Sequence, residues 1–374
     1  MATRPRDTVT IEGDAGAFDA FTSIELTNDL TGPAEASFEI GDDGTWREME
    51  DKIRPGTLYE VRVNGRLRMT GRVQINDVPV DADGGATVRF VVRTRTSDAL
   101  YASASPSISI VGATLKDIVL RAYAALGFTS SDFVFKTDLA RDLMTGRSSR
   151  GNDRLLDLEP MRFEQAKVNP PESIYEFVER HLLRFHLTHW DAPDGKIVVG
   201  APNDQQQPLY QFRLLKGAAG RQNNVLTAHR TRDMSELPTS ITVVTWTGPE
   251  VARERIASTV KPSVSDINPG LFHRPVLMLD TSLWSRDQTV AKAKRELLQR
   301  SKRVDGWQMT TDGWSFWDGA ALIPYGVDTV ADVEIDVAGG PSGAYLLHRT
   351  VLREDPDQGM TAQLSLLRRG LWVL

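Results

Sequence analysis

The chain contains no cysteine in its 374 residues. Without thiols it can form no disulfide, and it can hold neither a cysteine nucleophile nor a cysteine-ligated zinc ion. The absence is compatible with folding in a reducing cytoplasm, where disulfides are rare.

Long apolar runs and an excess of positive charge are also missing. No run approaches the roughly 20 apolar residues that a membrane-spanning helix needs, and residues 1–7 lack the apolar core of a signal peptide. We therefore expect a soluble chain that does not enter a membrane by itself. The net charge of −6 argues against a dedicated nucleic-acid binder, which needs a clustered positive surface to neutralise phosphates.

The composition is that of a globular protein with two or three domains. Hydrophobic residues make up 40% and charged residues 25% of the chain, close to the average for folded proteins. Residues 1–100 alternate between short strands and turns, most clearly at 58–63, which the hairpin signal Asn64-Gly65 follows. This block predicts a first β-barrel domain.

Residues 101–204 predict a small α+β domain. Apolar residues at helical spacing follow Thr114, and a second such run follows the capping signal of Ser173 and Glu176. A hairpin with a turn at Asp194-Gly195 comes next. Between the two helices, residues 139–159 form a long polar loop to which the sequence assigns no role.

Residues 205–374 predict a second β-barrel domain, with a helix inserted at 287–303. The order of its last strands and turns repeats that of the first block: residues 54–56 correspond to 323–326, 70–73 to 348–351, and 87–93 to 361–368. The sequence leaves two interpretations open, a true duplication of a β-domain or two meanders that look alike.

The sequence resembles the baseplate hub proteins of Mu-like contractile-tailed bacteriophages over nearly its whole length. The most specific stretch runs from 274 to 322 and includes residues 274–278, 291–296 and 304–307; residues 323–326 follow it. Residues 114–118 and 172–177 of the middle block also match. The loop at 139–159 is longer than the family pattern.

The resemblance implies a structural protein of the virion tail. Three copies would form a ring in which two similar barrels per copy alternate, giving a pseudo-sixfold face to the hexameric tail tube and a threefold face to the central spike. The middle domain would be peripheral. Further implied partners are baseplate wedge and tape measure proteins, with DNA only in transit through the channel. Assembly would take place in the host cytoplasm, without any cofactor.

Two other function classes remain as alternatives. The aromatic group Trp307, Trp314, Phe316 and Trp317 suggests a receptor- or glycan-binding tail module, although core or interface packing explains it better. A tail lysozyme would need two carboxylates in contrasting environments, and the sequence singles out no such pair. We therefore expect no enzymatic activity.

Two charged segments are candidate assembly sites. Asp332, Glu334 and Asp336 alternate with apolar residues, which places them on one face of a strand. This face either lines the channel, where acid would repel DNA phosphate, or simply meets solvent. The inserted helix offers candidate inter-subunit contacts, although a solvated helix face is the usual alternative. These residues are Lys292, Lys294, Arg295, Arg300, Lys302 and Arg303.

Three motifs with possible chemistry fit better as ordinary structure. His181, His186 and His189 lack the i, i+4 spacing of a zincin, so we expect no metal site. Residues 340–343 lack the final glycine of a nucleophile elbow. Residues 81–84 begin like a calcium loop, but no glutamate stands at its twelfth position.

Overall fold

The computed structural model describes most of the chain. The described ranges are 5–13, 16–18, 21–41, 53–78, 80–81, 85–105, 108–136, 162–183, 187–216, 223–231, 235, 237–247, 254–261, 273–280, 286–301, 306–336, 340–357 and 359–369. The loop at 139–159, the turn at 82–84, His186, Lys302 and Arg303 lie outside them.

The described elements are mostly strands. The strands are β1 (Val9–Gly13), β2 (Gly16–Phe18), β3 (Ser23–Asp29), β4 (Gly32–Gly41), β5 (Leu58–Val63), β6 (Arg66–Asp77), β7 (Val80–Asp81), β8 (Gly85–Arg93), β9 (Ser109–Thr114), β10 (Phe133–Lys136), β11 (Arg162–Lys167), β12 (Thr188–Asp191), β13 (Ile197–Gly200), β14 (Tyr210–Leu214), β15 (Val225–Thr231), β16 (Ser240–Thr247), β17 (Glu254–Val260), β18 (Pro275–Leu279), β19 (Gly306–Asp312), β20 (Ser315–Trp317), β21 (Leu322–Pro324), β22 (Thr329–Ile335), β23 (Ser342–Asp355) and β24 (Gly359–Arg368). The α-helices are α1 (Ser97–Tyr101), α2 (Leu115–Ala124), α3 (Ile174–Leu182) and α4 (Arg286–Ser301).

Local sequence signals place several of these elements. Asn64 and Gly65 both have positive φ, 53° and 71°, as the tight hairpin between β5 and β6 requires. Helices α2 and α3 each begin with a capping box, in which Thr114 pairs with Asp117 and Ser173 with Glu176. Each box satisfies two backbone N–H groups that the first helical turn leaves without partners.

The largest sheet contains 14 strands and unites both ends of the chain. Its main path runs β15-β19-β24-β23-β3-β4-β8-β6-β5-β1-β2, while β22 pairs with β23 and with β14. Strands β3 and β23, more than 300 residues apart in sequence, form the antiparallel joint between the two halves. Cross-strand ion pairs accompany the joint, with 2.7 Å between Arg353 Nε and Glu25 Oε2.

The two halves of this sheet repeat one strand order. The first half reads β3-β4-β8-β6-β5-β1 and the second β15-β19-β24-β23-β22-β14. The long strand of each half carries a bulge at the corresponding place, after Val73 in β6 and after Leu347 in β23. The halves differ in their last pair, since β1 is antiparallel to β5 whereas β14 is parallel to β22.

The repeat favours duplication of a β-unit and corrects two details of the sequence comparison. Gly56 bonds the carbonyl of Val73 as Asp328 bonds that of Leu347, so residues 54–56 correspond to 326–328 rather than to 323–326. The bulges equate Val73 with Leu347, so residues 70–73 correspond to 344–347 rather than to 348–351. The same pairing equates 87–93 with 361–367, within the range 361–368 of the sequence comparison. The prediction of a mainly β fold with two related β-units and a small α+β insert is confirmed.

Buried residues form one large cluster and three smaller ones. The large cluster lies beneath the 14-stranded sheet and draws on both halves of the chain. A second cluster, between Ala99 and Ala201, belongs to the α+β insert. A third joins Trp190 and Val198 of the insert to the outer face of the sheet, and a fourth packs α4 on the sheet β17-β16-β18. The domain boundaries at 100 and 204 stay a prediction.

Candidate assembly surfaces

The three acids of the predicted strand lie on one face of β22 or directly after it. Asp332 is partly buried, while Glu334 and Asp336 are exposed. Val333 and Ile335, between them, are 1% and 5% exposed and belong to the large core. The acids therefore lie on the outer face of the strand and the apolar residues on its inner face, as the sequence predicts.

An arginine on the neighbouring strand partly neutralises this acidic face. The Arg213 side chain of β14 lies 2.7 Å from Asp332 Oδ2 and 3.1 Å from Glu334 Oε2. Sequence reasoning missed Arg213 because the parallel pairing of β14 with β22 joins residues more than 100 positions apart. The face keeps an excess of negative charge, since three carboxylates meet one guanidinium.

The corresponding face of the first half carries the same arrangement. In the two meanders, Glu60 of β5 takes the place of Asp332, and Arg62 takes that of Glu334. Arg62 bonds Glu60 and, at 3.0 Å, Glu12 of β1. The Glu60 carboxylate beside it raises the pKa of Arg62. Both halves thus carry ion pairs between acids and an arginine at equivalent positions.

The basic helix is less available for contacts than its sequence suggests. Its inward residues Ala293 and Leu297 are buried. Lys292 is engaged with Glu296 one turn on, at 3.3 Å, and its side chain is only 19% exposed. Lys294 and Arg300 are partly exposed. The Arg295 side chain, like Lys302 and Arg303, lies outside what the structure describes.

The sheet that α4 covers exposes apolar side chains on its other face. Leu277 and Leu279 of the edge strand β18 are 71% and 66% exposed, and Trp246 of β16 is 44% exposed. By contrast, the aromatic group at 307–317 is largely internal. Trp314 is fully buried, and its indole N–H donates to the carbonyl of Arg353 at 2.9 Å. Trp307 is 5% exposed, so these two rings offer no platform to a sugar.

His189 and its neighbours form a buried structural cluster. His189 is fully buried, with Nδ1 3.0 Å from Glu179 Oε2 and Nε2 2.8 Å from the Tyr123 hydroxyl. Since a carboxylate only accepts, Nδ1 carries a proton. Burial raises the pKa of both Tyr123 and Tyr175, which contacts the same imidazole. The tyrosines therefore stay protonated, and the imidazole is shielded from solvent.

Asp191 attaches the insert to the first half of the sheet. Its carboxylate accepts hydrogen bonds from the Thr94 hydroxyl at 2.6 Å, the Thr96 hydroxyl and the Ala34 N–H at 3.1 Å. Burial nevertheless raises the pKa of Asp191. His181 also bonds internally, to the carbonyl of Phe177. Among the described residues no group of three His, Cys, Asp or Glu side chains converges as a metal site would require.

The structure as a whole resembles solved tail proteins. A tail protein from Neisseria meningitidis MC58 superposes with a TM-score of 0.77 at 16% identity, over 99% of this chain and 98% of that one. The 43 kDa tail protein of prophage MuSo2 from Shewanella oneidensis gives 0.75 at 16% identity, over 98% and 99%. The chain has the fold of phage tail proteins.

A weaker structural similarity is found with a component of a secretion system. The c3393 protein of E. coli, a type VI secretion component with structural similarity to the T4 tail proteins gp27 and gp5, gives a TM-score of 0.53 at 11% identity. The match covers 93% of this chain and 73% of that one. No protein-family model matches the sequence, and no curated protein is similar to it. In the described residues, no helix is long and apolar enough to cross a bilayer.

Proposed function

We propose that the chain is the structural hub of a phage baseplate. Three copies form a ring that joins the hexameric tail tube to the central spike and continues the DNA channel. The observation that carries this proposal is the internal repeat, in which two β-units share one strand order and one continuous sheet. Three chains with two such units each would present six similar units, which is the number that a hexameric tube needs.

The partners follow from the position of such a ring. One face meets the tube and tape measure proteins, the other the spike, and the periphery meets the wedge proteins. The chain belongs to the virion tail and reaches it from the host cytoplasm, where assembly occurs. Its role is mechanical, which agrees with the burial of the His189 cluster. The glycan-binding alternative loses its main support, because Trp307 and Trp314 lie in the core.

The mass of the protein in solution tests the ring. We expect a particle of three 41.5 kDa chains at micromolar concentration by light scattering. A protein that stays monomeric at high concentration would contradict self-assembly of the hub.

We further propose that the acidic face of β22 lines the channel. Replacing Asp332, Glu334 and Asp336 by lysine should change stability by no more than about 0.5 kcal/mol at the exposed Asp336. The loss should be larger at Asp332 and Glu334, where lysine replaces an ion pair with Arg213 by like charges. The triple change should also make the wall attract DNA, with a salt dependence that grows with each phosphate contact. Particles with the triple lysine change should assemble but eject DNA slowly, and added salt should restore part of the rate.

A neutral variant provides the matched control. Asp332→Asn, Glu334→Gln and Asp336→Asn together remove the acid without adding positive charge next to Arg213, so assembly and ejection should stay close to normal. If the lysine particles eject DNA at the normal rate at every salt concentration, these residues do not line the channel. If the neutral variant fails to assemble, the acids instead pair with cations of a neighbouring subunit.

A further inference from the structure

Two of the edges of the 14-stranded sheet lack a pairing strand over several residues within the described part of the chain. Strand β15 bonds to β19 on one side. On its other side, β14 bonds Asn224 just before the strand, and no described strand pairs with residues 226–231. Strand β6 is paired with β5 only as far as Arg72, after which the Gly56 N–H bonds the carbonyl of Val73. From Gln74 to Val78 this edge of β6 has no described strand beside it, although β8 continues on the other side.

In the second half of the sheet, the edge of β23 that corresponds to the open edge of β6 is occupied by a strand. Strand β23 is paired with β22 as far as Leu347, whose carbonyl receives the N–H of Asp328. A bulge follows, and β3 then takes over the same edge, beginning with the Leu30 N–H on the carbonyl of His348. The bulge therefore marks the point at which one neighbouring strand ends and another begins.

Strand β6 has the same bulge as β23, but beyond the bulge no described strand replaces β5 as its neighbour. Its bulge follows Val73, the counterpart of Leu347. Gly56 has a positive φ of 94° and bonds Val73, just as Asp328, with a φ of 56°, bonds Leu347. The loop before β5 thus meets β6 in the same way as the loop before β22 meets β23. Because the loop before β22 leaves space for β3 beside β23, the loop before β5 should leave equivalent space beside β6.

The counterpart of the missing strand is β15. It pairs with β19 as β3 pairs with β4, and it is the outermost strand of its half. Its outward side chains Thr227, His229 and Thr231 are exposed, and so is Leu226 at 55%. An exposed strand of this kind offers unpaired N–H and C=O groups to another chain.

We propose that β15 of a second copy pairs antiparallel with the open edge of β6 at residues 74–78. The proposal rests on the proposed ring and names the contact that closes it. Each chain has one edge of each kind, so the contact is head-to-tail and generates a ring when the rotation closes. Main-chain hydrogen bonds across added strands then join the copies.

The register of the β3–β23 joint fixes the expected pairing. There Thr27 lies opposite Val351. Thr231 is the counterpart of Thr27 and Asp77 that of Val351, so Thr231 of one copy should face Asp77 of the next. Both side chains are exposed in the single chain, which leaves them free to meet.

Cysteine cross-linking tests this pairing on a chain that has no cysteine of its own. Directly opposed residues of antiparallel strands have Cα atoms about 4.5–5.5 Å apart, within the range of about 4.4–6.8 Å that a disulfide spans. Mild oxidation of the variant Asp77→Cys/Thr231→Cys should convert most of the protein to covalently joined copies, up to a closed trimer, which a reductant reverses.

Two matched variants control the experiment. Thr27→Cys/Val351→Cys should form a disulfide within one chain at the same kind of joint, without linking copies. Asp77→Cys/Val111→Cys pairs the same edge with an exposed residue of the insert (77% exposed) and should give only background cross-linking.

The outcomes separate this inference from the proposed function. Cross-linking of the Asp77 and Thr231 pair alone supports the contact. A trimer of normal mass whose Asp77 and Thr231 cysteines do not join would overturn the contact and leave the hub proposal standing. A protein that is monomeric and does not cross-link would overturn both.

Discussion

Replacing Trp314 by alanine should cost about 3–5 kcal/mol of the free energy of unfolding. The indole is fully buried in the core that both halves of the sheet share, and its N–H donates to the carbonyl of Arg353. Alanine would leave a large cavity and remove the indole hydrogen bond to β23. Urea denaturation followed by circular dichroism measures the change.

Trp317→Ala is the control, because this ring lies at the surface end of the same aromatic group and is only partly buried. Its loss should be much smaller. Equal, small losses for both variants would mean that Trp314 is not a core residue. Such a result would return the tryptophans to the glycan-binding alternative, which a glycan array could then examine.

Replacing Asp191 by alanine should destabilise the attachment of the insert by about 3 kcal/mol or more. The carboxylate accepts from Ala34, Thr94 and Thr96, and a buried donor left without a partner costs about 1–3 kcal/mol. Asp191→Asn keeps one acceptor oxygen, so it should fall between the alanine variant and the native protein.

Hydrogen exchange locates the effect of Asp191→Ala. Faster exchange is expected in β12 and β13 and at the Ala34 amide, before the rest of the sheet opens. The exposed Asp194, three residues further on, lies in a turn where it pairs with Lys196. Asp194→Ala should change stability by no more than about 0.5 kcal/mol. A loss as small for Asp191→Ala would show that its three hydrogen bonds do not hold the insert.

Local patterns carried the parts of this fold that the sequence could predict. The alternation at 58–63, the Asn64-Gly65 turn and the capping boxes at Thr114 and Ser173 each depend on neighbours within a few residues. The similar order of strands and turns in the two halves could be seen for the same reason, because each strand and turn has its own short sequence signal. The predicted register between the halves was wrong by four residues at 70–73, because such short signals indicate the order of the elements but not which residues pair across the sheet.

Contacts between distant residues account for what the sequence could not show. Asp191 looks like an ordinary residue before a hairpin turn, but β12 packs against β4 and the segment after β8, where Asp191 meets Ala34, Thr94 and Thr96. Arg213 alternates with Tyr210 and Phe212, which indicates a strand, but its pairing with Asp332 needs the parallel neighbour β22. The joint of β3 with β23, from which the proposed ring contact follows, links opposite ends of the chain.

Electron microscopy of the purified protein tests the central claim most directly. A baseplate hub built from three chains with two β-units each should appear as a ring with a central hole, threefold in symmetry and with six similar lobes around the hole. Compact monomers without a hole at concentrations well into the micromolar range would contradict it.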